Sequence, residues 1–449
     1  MTQRFIANVN LIFFTQVVNR VFAFLMSIVL ARGLGPEARG DYALFVLSAT
    51  FAATLSTLGI GLGTMYYVSK GKHETKVLLG NSHFLVLIMG AIAAAALAAV
   101  GLAIEPKAFV EGRSFWLYAF AFPLVLEFLL ATAFLVGSER FGPLNASLLI
   151  QTLVLTAGAT ALWVGGWMTI FSVLFLWVVS YAMATATALV FVGLGQLSLR
   201  RSLRPDFAVL REQVSFGLPG QAGNILQRLN YRLDQYMVRG FGNRADVGYY
   251  ATATGLAESV WWLANSVSMA LLPRLTRMES QRAAEVTPVA CRNIILISLL
   301  LAAGVAVTAP FTVEILFGHA FAPAVAPIIW LLPGIAALSG AKVLGSYFFS
   351  QARMSVASLT AMISLVATIA FDLLLIPTLG ITGAAIASSI AYTVSLVVSL
   401  RFYSSISGQS AWSCVIPRTA DLRLYVDLAK RLRRAKTPAT LNGAAAPGP

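Results

Sequence analysis

The stretch RGLGPEARGDYA, residues 32–43, comes back 207 positions further on as RGFGNRADVGYYA, residues 239–251. Both follow R-G-[LF]-G, then four or five residues, then G-x-Y-A. Each copy sits between two long apolar runs, so each reads as the turn joining the first two spans of a duplicated unit. Glycine belongs in such a turn because it accepts backbone angles that a Cβ forbids. Arg32 pairs with Arg239 and Gly40 with Gly248, at offsets of 207 and 208. A unit with an even number of spans keeps both copies in one orientation and relates the halves by an axis along the membrane normal. The expected consequence is a site at their interface, near mid-bilayer.

The rest of the chain agrees with a membrane setting. Its 449 residues are 58% hydrophobic and only 11% charged, with a mean hydropathy of +0.80. Soluble domains are about half apolar and about a quarter charged. A β-barrel needs strands of about 10 residues with alternating polarity, whereas these runs of about 20 are apolar on every side, the length a helix needs to cross the hydrocarbon. Six candidate spans cover 10–31, 41–68, 80–104, 115–137, 145–164 and 168–195. Six more cover 214–240, 246–272, 289–310, 324–349, 355–376 and 380–403. The expected fold is all-α: a polytopic membrane protein with twelve transmembrane helices in two pseudo-symmetric six-helix bundles. The expected divisions are an N-terminal lobe at 1–200, a C-terminal lobe at 201–405 and a basic tail at 406–449.

Orientation follows from Lys and Arg, which are retained on the cytoplasmic side during insertion. Even-numbered connections and the termini hold 22 of these residues, against six on odd-numbered connections. A bacterial cytoplasmic (inner) membrane protein with both termini cytoplasmic is expected. The net charge of +14 is explained by these loops and the tail, which favour anionic lipid headgroups, so nucleic acid is not a partner. Within the tail, RLYVDLAKRLRRAK at 423–436 suits a basic amphipathic helix on the membrane surface, followed by a disordered Ala/Pro/Gly end. Cys291 and Cys414 have no CxxC spacing, and His73, His83 and His319 lie far apart, so neither a disulfide framework nor a metal site is expected. The first apolar run is too long for a signal-peptide core and reads as an uncleaved anchor.

Three stretches carry a family resemblance: IVLARGLGPEARGDYALF at 28–45, GLPGQAGNILQRLNYRLDQYMVRGFGNRADVGYYATA at 217–253, and LGITGAAIASSIAY at 379–392. The chain resembles, to about residue 405, the Wzx-type polysaccharide flippases of the multidrug/oligosaccharidyl-lipid/polysaccharide exporter superfamily. That resemblance implies a two-lobed bundle that alternates between inward- and outward-open cavities and moves a lipid-linked saccharide without ATP hydrolysis. Asp234 occupies the position where the family commonly has an acidic residue in the seventh span, and Pro219 matches the proline near that span's start. The tail matches nothing in the family pattern. Partners implied are the lipid-linked oligosaccharide and membrane lipids, with polysaccharide polymerase or export proteins as candidates. A functional monomer without cofactor is expected.

Ionisable residues at bilayer depth cost several kcal/mol each and face a wet cavity or a partner. Eight stand inside spans: Arg20, Glu127, Arg228, Arg232, Asp234, Glu258, Lys342 and Asp372. In the seventh span Gln221, Asn224, Arg228, Arg232, Gln235 and Arg239 fall within about 80° of one face at 100° per residue. Gln16, Arg20 and Ser27 share a face of the first span, although the repeat maps Arg20 onto Gln227 rather than Arg228. A guanidinium offers a planar fork of donors that matches phosphate oxygens. Arg20, Arg228, Arg232 and Lys342, with Gln221, Asn224 and Gln235, are therefore the candidate substrate-binding residues for a diphosphate headgroup. Asp234, Glu258, Glu127 and Asp372 are candidates for pairing with these cations or for binding a coupling ion. In the eighth span Thr254, Glu258, Trp262, Asn265 and Met269 share a face with Trp261 at its edge. Those rings suit either sugar stacking or helix packing.

GIGLG at 59–63 lies inside an apolar span with no preceding strand, so a bend or a close helix contact is expected there, not a phosphate loop. No GxxxxGK[ST], HExxH or Ser/His/Asp arrangement points to ATP hydrolysis or catalysis. A cation-coupled drug exporter of the same superfamily is the first alternative, but that class uses acidic cavity residues, often in the first span, where this chain has Arg20. A membrane enzyme acting on lipid-linked glycans would need a sizeable outward loop, and every outward connection is short.

Overall fold

The computed structural model describes residues 2–103, 112–193, 204–418 and 421, with side chains from 15–99, 114–193, 204–418 and 421. The junction expected near 200 and the amphipathic tail segment at 423–436 lie outside the described residues. No β-strand occurs among the described residues. The long helices are α1 (Thr2–Ser56), α2 (Ile60–Lys70), α3 (Thr75–Ala103), α4 (Leu117–Gly137), α5 (Phe141–Val164) and α6 (Ile170–Val192). They continue with α7 (Phe207–Phe241), α8 (Arg244–Ala257), α9 (Trp261–Arg277), α10 (Ser280–Thr312), α11 (Val325–Ser350) and α12 (Met354–Ser407).

Among the described residues eight helical stretches are long and apolar enough to cross a bilayer. Two of them, Thr15–Ser56 and Met354–Ser407, are 42 and 54 residues long and break at Gly35 and Gly380, each with positive φ, so each supplies two crossings. The polar helix α7 and the pair α8–α9 complete twelve crossings in two halves of six. Outward-facing apolar side chains such as Phe120, Leu300, Val307, Phe311, Val366 and Leu374 stay exposed, as a lipid-facing surface requires.

Two apolar cores fill the halves. One is built from α1 to α6, with Phe45, Leu126, Leu174 and Trp177 fully buried; the other runs mainly from Val238 to Cys414. Between them the repeated turn packs against its own copy. A Cβ on Gly40 would strike the Arg244 carbonyl, and one on Gly248 would strike the Pro36 carbonyl, so the two backbones approach as closely as glycine allows. Arg244 forks onto the Asp41 carboxylate, with its Nε donating at 2.8 Å. At the other, basic end, α2 and α7 meet where Gly59 touches Gly217, and Glu212 accepts from Lys72 Nζ at 2.6 Å and contacts His73 Nε2 at 3.0 Å.

The second span, read as continuous at 41–68, is broken, whereas the eighth, read at 246–272, stays helical and only tightens at one turn. Leu58 and Gly59 adopt φ of 47° and 81° between α1 and α2, which realises the bend and the close contact expected of GIGLG. Glu258–Val260 forms one turn of 3₁₀ helix between α8 and α9.

The chain beyond α12 folds back onto α10. Asp421 accepts from Arg292 Nε at 2.6 Å and Nη2 at 2.7 Å, while the side chains are 6% and 5% exposed, and Arg292 also donates to the Ser413 carbonyl at 3.3 Å. Cys414 is buried in the same core as Cys291. The hydrogen bonds from Arg292 hold the Asp421 carboxyl down at about 2. A depressed carboxyl contributes docking stability that is complete above the ordinary value of about 3.9 and is lost as pH falls through the folded value. Breaking such a buried pair costs roughly 3–5 kcal/mol. Asp421→Asn is therefore expected to speed tryptic cleavage after Arg418 several-fold at neutral pH. Wild-type cleavage, read on gels and normalised to an unfolded substrate digested in parallel to remove trypsin's own loss of activity in acid, should not change between pH 8 and pH 5.

Candidate functional site

Helix α7 organises the space between the lobes. Asp206 caps it, accepting from the backbone N–H groups of Ala208 and Val209 at 3.0 and 3.1 Å, and the helix then runs 35 residues along the interface. Its polar face, Gln221, Asn224, Arg228, Arg232 and Gln235, lines a chamber of about 960 Å³ whose far wall includes Thr50 and Thr54 of α1. Gln221 Nε2 donates to the Thr54 carbonyl at 2.7 Å. A second chamber of about 870 Å³ lies beside the first, lined by Arg20 of α1, Lys342 of α11 and Asn265 of α9 among others. Ala23, Thr152, Gln227 and Tyr231 border both, so the two meet at one waist.

The single cleft expected from the sequence is thus divided, and the candidate cations divide with it. Arg228 and Arg232 belong to the first chamber, Arg20 and Lys342 to the second. Their partners differ in kind. Arg232 is forked onto Glu258, with Nη1 and Nη2 donating at 2.6 and 2.9 Å. Arg228 donates to Thr54 Oγ1 at 2.9 Å and to the Thr50 carbonyl at 3.4 Å. Arg20 stands over the Trp262 ring at 4.9 Å, and Lys342 Nζ lies 4.6 Å from the Trp261 centroid and 5.1 Å from that of Tyr231. Among the described residues no Asp or Glu lines either chamber. Of the two eighth-span tryptophans, one carries Lys342 and the other Arg20.

The remaining acids lie off the chambers. Asp234 turns into the second core, accepting from Tyr250 Oη at 2.6 Å, Ser388 Oγ at 3.1 Å and the Gln235 backbone N–H at 2.8 Å. Glu127 contacts His83 Nδ1 at 2.9 Å inside the first lobe. Asp372 is buried, and neither carboxylate oxygen has a hydrogen-bond partner among the described residues. One helical turn before it, Thr368 donates to Asn230 at 2.8 Å, and Asn230 is itself one turn before Asp234, so α7 and α12 bring the two aspartates to the same level. No group of three or more His, Cys, Asp or Glu able to hold a metal occurs among the described residues.

Sequence reasoning missed Arg39 and Asn230. Arg39 was placed in a loop by the repeat motif, yet it lines the first chamber, donating to Thr252 Oγ1 and Ser27 Oγ, both at 2.8 Å. Asn230 lies off the polar stripe of α7, facing α12.

A two-lobed bundle of twelve helices with polar chambers between its halves defines the class as a polytopic membrane protein built around an internal cavity. The model of the polysaccharide biosynthesis protein family matches residues 5–279, and the chain belongs to that family. Residues 250–416 also match the model of the lipid II flippase MurJ. Among solved structures, an inward-facing multidrug resistance MATE family transporter of the multidrug/oligosaccharidyl-lipid/polysaccharide exporter superfamily superposes with a TM-score of 0.74 at 14% identity, covering 87% of this chain and 94% of its own. Lipid II flippase MurJ in an inward closed conformation gives 0.72 at 10%, covering 94% and 98%. An outward-facing MATE family transporter gives 0.61 at 15%, covering 88% and 92%. No curated protein sequence matches the chain.

The Arg232–Glu258 fork ties α7 to the 3₁₀ turn between α8 and α9. Glu258→Gln should lower the thermal unfolding midpoint of the purified protein by several degrees, because it strands a largely buried guanidinium. The exchanged pair Arg232→Glu with Glu258→Arg should recover at least half of that loss in a thermal scan.

Proposed function

We propose that this protein is a flippase that carries a polyprenyl-diphosphate-linked oligosaccharide from the cytoplasmic to the outer leaflet of the bacterial inner membrane by alternating access. The observation that carries the reading is a pair of cations, Arg20 and Lys342, at bilayer depth in the second chamber with no carboxylate partner among the described residues. Unmatched charge at that depth is costly, so its retention calls for an anionic cargo in a wet space. A diphosphate supplies the charge, and hydroxyl and amide side chains such as Thr50, Thr54, Asn224 and Gln227 supply partners for sugar hydroxyls.

The family membership and the match to the lipid II flippase model support this reading. A multidrug exporter shares the fold. A chamber lined by Arg and Lys with no acid would repel the cationic compounds that such an exporter collects in an acidic cavity, so the lining favours an anionic cargo. The higher similarity to inward-facing than to outward-facing relatives supports a state entered from the basic, cytoplasmic end. In that state Arg232 is held by Glu258. Its exchange onto phosphate in the opposite state would give the two conformations the differential binding that alternating access requires.

Asp372, with Asp234 beside it, is the proposed seat of a coupling proton or small cation, since a buried carboxylate without partners calls for a counter-charge. The lobes divide near residue 200, and 406–449 is a cytoplasmic tail that offers a docking point for glycan polymerase or export proteins. The monomer suffices for transport.

In proteoliposomes carrying a fluorescent polyprenyl-diphosphate glycan, replacing both Arg20 and Lys342 by Gln should slow transbilayer movement by about tenfold or more, with insertion unchanged. Asp372→Asn should abolish any acceleration by an ion gradient. Wild-type rates in the doubly substituted protein would remove the cationic chambers from the mechanism.

A further inference from the structure

The distribution of charge between the chambers says something about the glycan itself. The cargo has a fixed order, lipid then diphosphate then sugars, and the chambers have an order too. The second chamber borders the arm of α1 whose next side chains, Val17, Val21 and Leu25, are exposed apolar surface facing lipid. Its apolar lining includes Met269, Leu272, Phe348 and Phe349. A headgroup still attached to a tail in the bilayer fits there, with two cations, Arg20 and Lys342, for a group carrying at least two negative charges. The sugars then pass the waist at Gln227 and Tyr231 into the first chamber.

That first chamber is not neutral. Arg232 is cancelled by Glu258, but among the described residues Arg228 and Arg39 are satisfied only by hydroxyl and carbonyl oxygens. Arg39 is buried and spends its donors on Thr252 and Ser27, whereas Arg228 is exposed to the chamber and forms its two bonds from Nη1 alone. A neutral glycan would leave this guanidinium without a counter-charge once the chamber closes and water leaves. A sugar carboxylate or comparable acid would take its fork at two points.

Resting on the flippase reading above, we infer that the transported oligosaccharide is acidic: one of the sugars nearest the diphosphate carries a negative group that binds Arg228, separately from the diphosphate at Arg20 and Lys342. Arg228 is then a specificity residue, rejecting neutral glycans by the cost of an unmatched charge.

Three probes test this on the full-length protein in lipid nanodiscs: undecaprenyl diphosphate alone, the same lipid bearing glucosyl-glucose, and the same lipid bearing glucosyl-glucuronate. The glucuronate form should bind at least about tenfold more tightly than the glucose form, the usual worth of a charge-assisted pair. Arg228→Gln should erase that difference while leaving undecaprenyl diphosphate binding intact, and Arg228→Lys should keep part of it. Equal binding of the two glycan lipids to wild type overturns the inference while leaving the flippase reading standing. Loss of undecaprenyl diphosphate binding in Arg228→Gln also overturns it, by assigning Arg228 to the headgroup. Failure of all three lipids to bind wild type removes the flippase reading and the inference with it.

Discussion

A fixed positive charge inside a bilayer must meet water, an anion or a carboxylate, and the architecture of this protein follows from how it meets that demand. One guanidinium, Arg232, takes the carboxylate of Glu258. Arg20 and Lys342 rest on indole and phenol faces, which attract cations weakly and can be left without stranding a charged partner. Arg228 is held by a hydroxyl and a carbonyl. Such soft holds keep the cations in place while leaving their affinity for phosphate or carboxylate unspent. They also require that no acid compete for them, and among the described residues neither lining contains one, Glu258 being spent on Arg232.

Keeping such a chamber between two lobes sets a further requirement, that the lobes close at an end without filling the middle. The repeated turn meets it. Gly40 and Gly248, equivalent positions of the two copies, bring backbone against backbone, and the Arg244–Asp41 fork locks the contact. Close approach at the end and breadth at the centre have the same source, because glycine at the crossing lets the helices diverge from one point. At the basic end the Gly59–Gly217 contact plays a similar part on one side, with Glu212 gathering Lys72 and His73 at the rim.

Much of this was legible in the residues. The duplication, the helical period of the α7 face and the bend at GIGLG all express local rules: spacing at 100° per residue, and glycine where backbones reverse or touch. What stayed hidden depends on distance in the chain. Nothing local says that Arg232 meets Glu258, since the two sit on different helices, 26 residues apart in the chain. The motif assigned Arg39 to a turn, and only the inter-lobe packing brings its side chain into the chamber. The division into two chambers depends on where Tyr231 and Gln227 stand relative to Thr152 and Ala23 on other helices, and no single-helix pattern encodes that. Asp372 looked like one acid among four, and its lack of partners emerges only from the fold.

The central claim is that Arg20 and Lys342, cations without carboxylate partners among the described residues, are the binding surface for the lipid diphosphate. The most direct measurement is a cryo-electron microscopy map of the full-length protein in nanodiscs with undecaprenyl diphosphate. The account predicts diphosphate density within hydrogen-bond reach of Arg20 and Lys342, with the lipid tail leaving along α1. Headgroup density outside both chambers, or side chains of Arg20 and Lys342 turned away from it, would contradict the account.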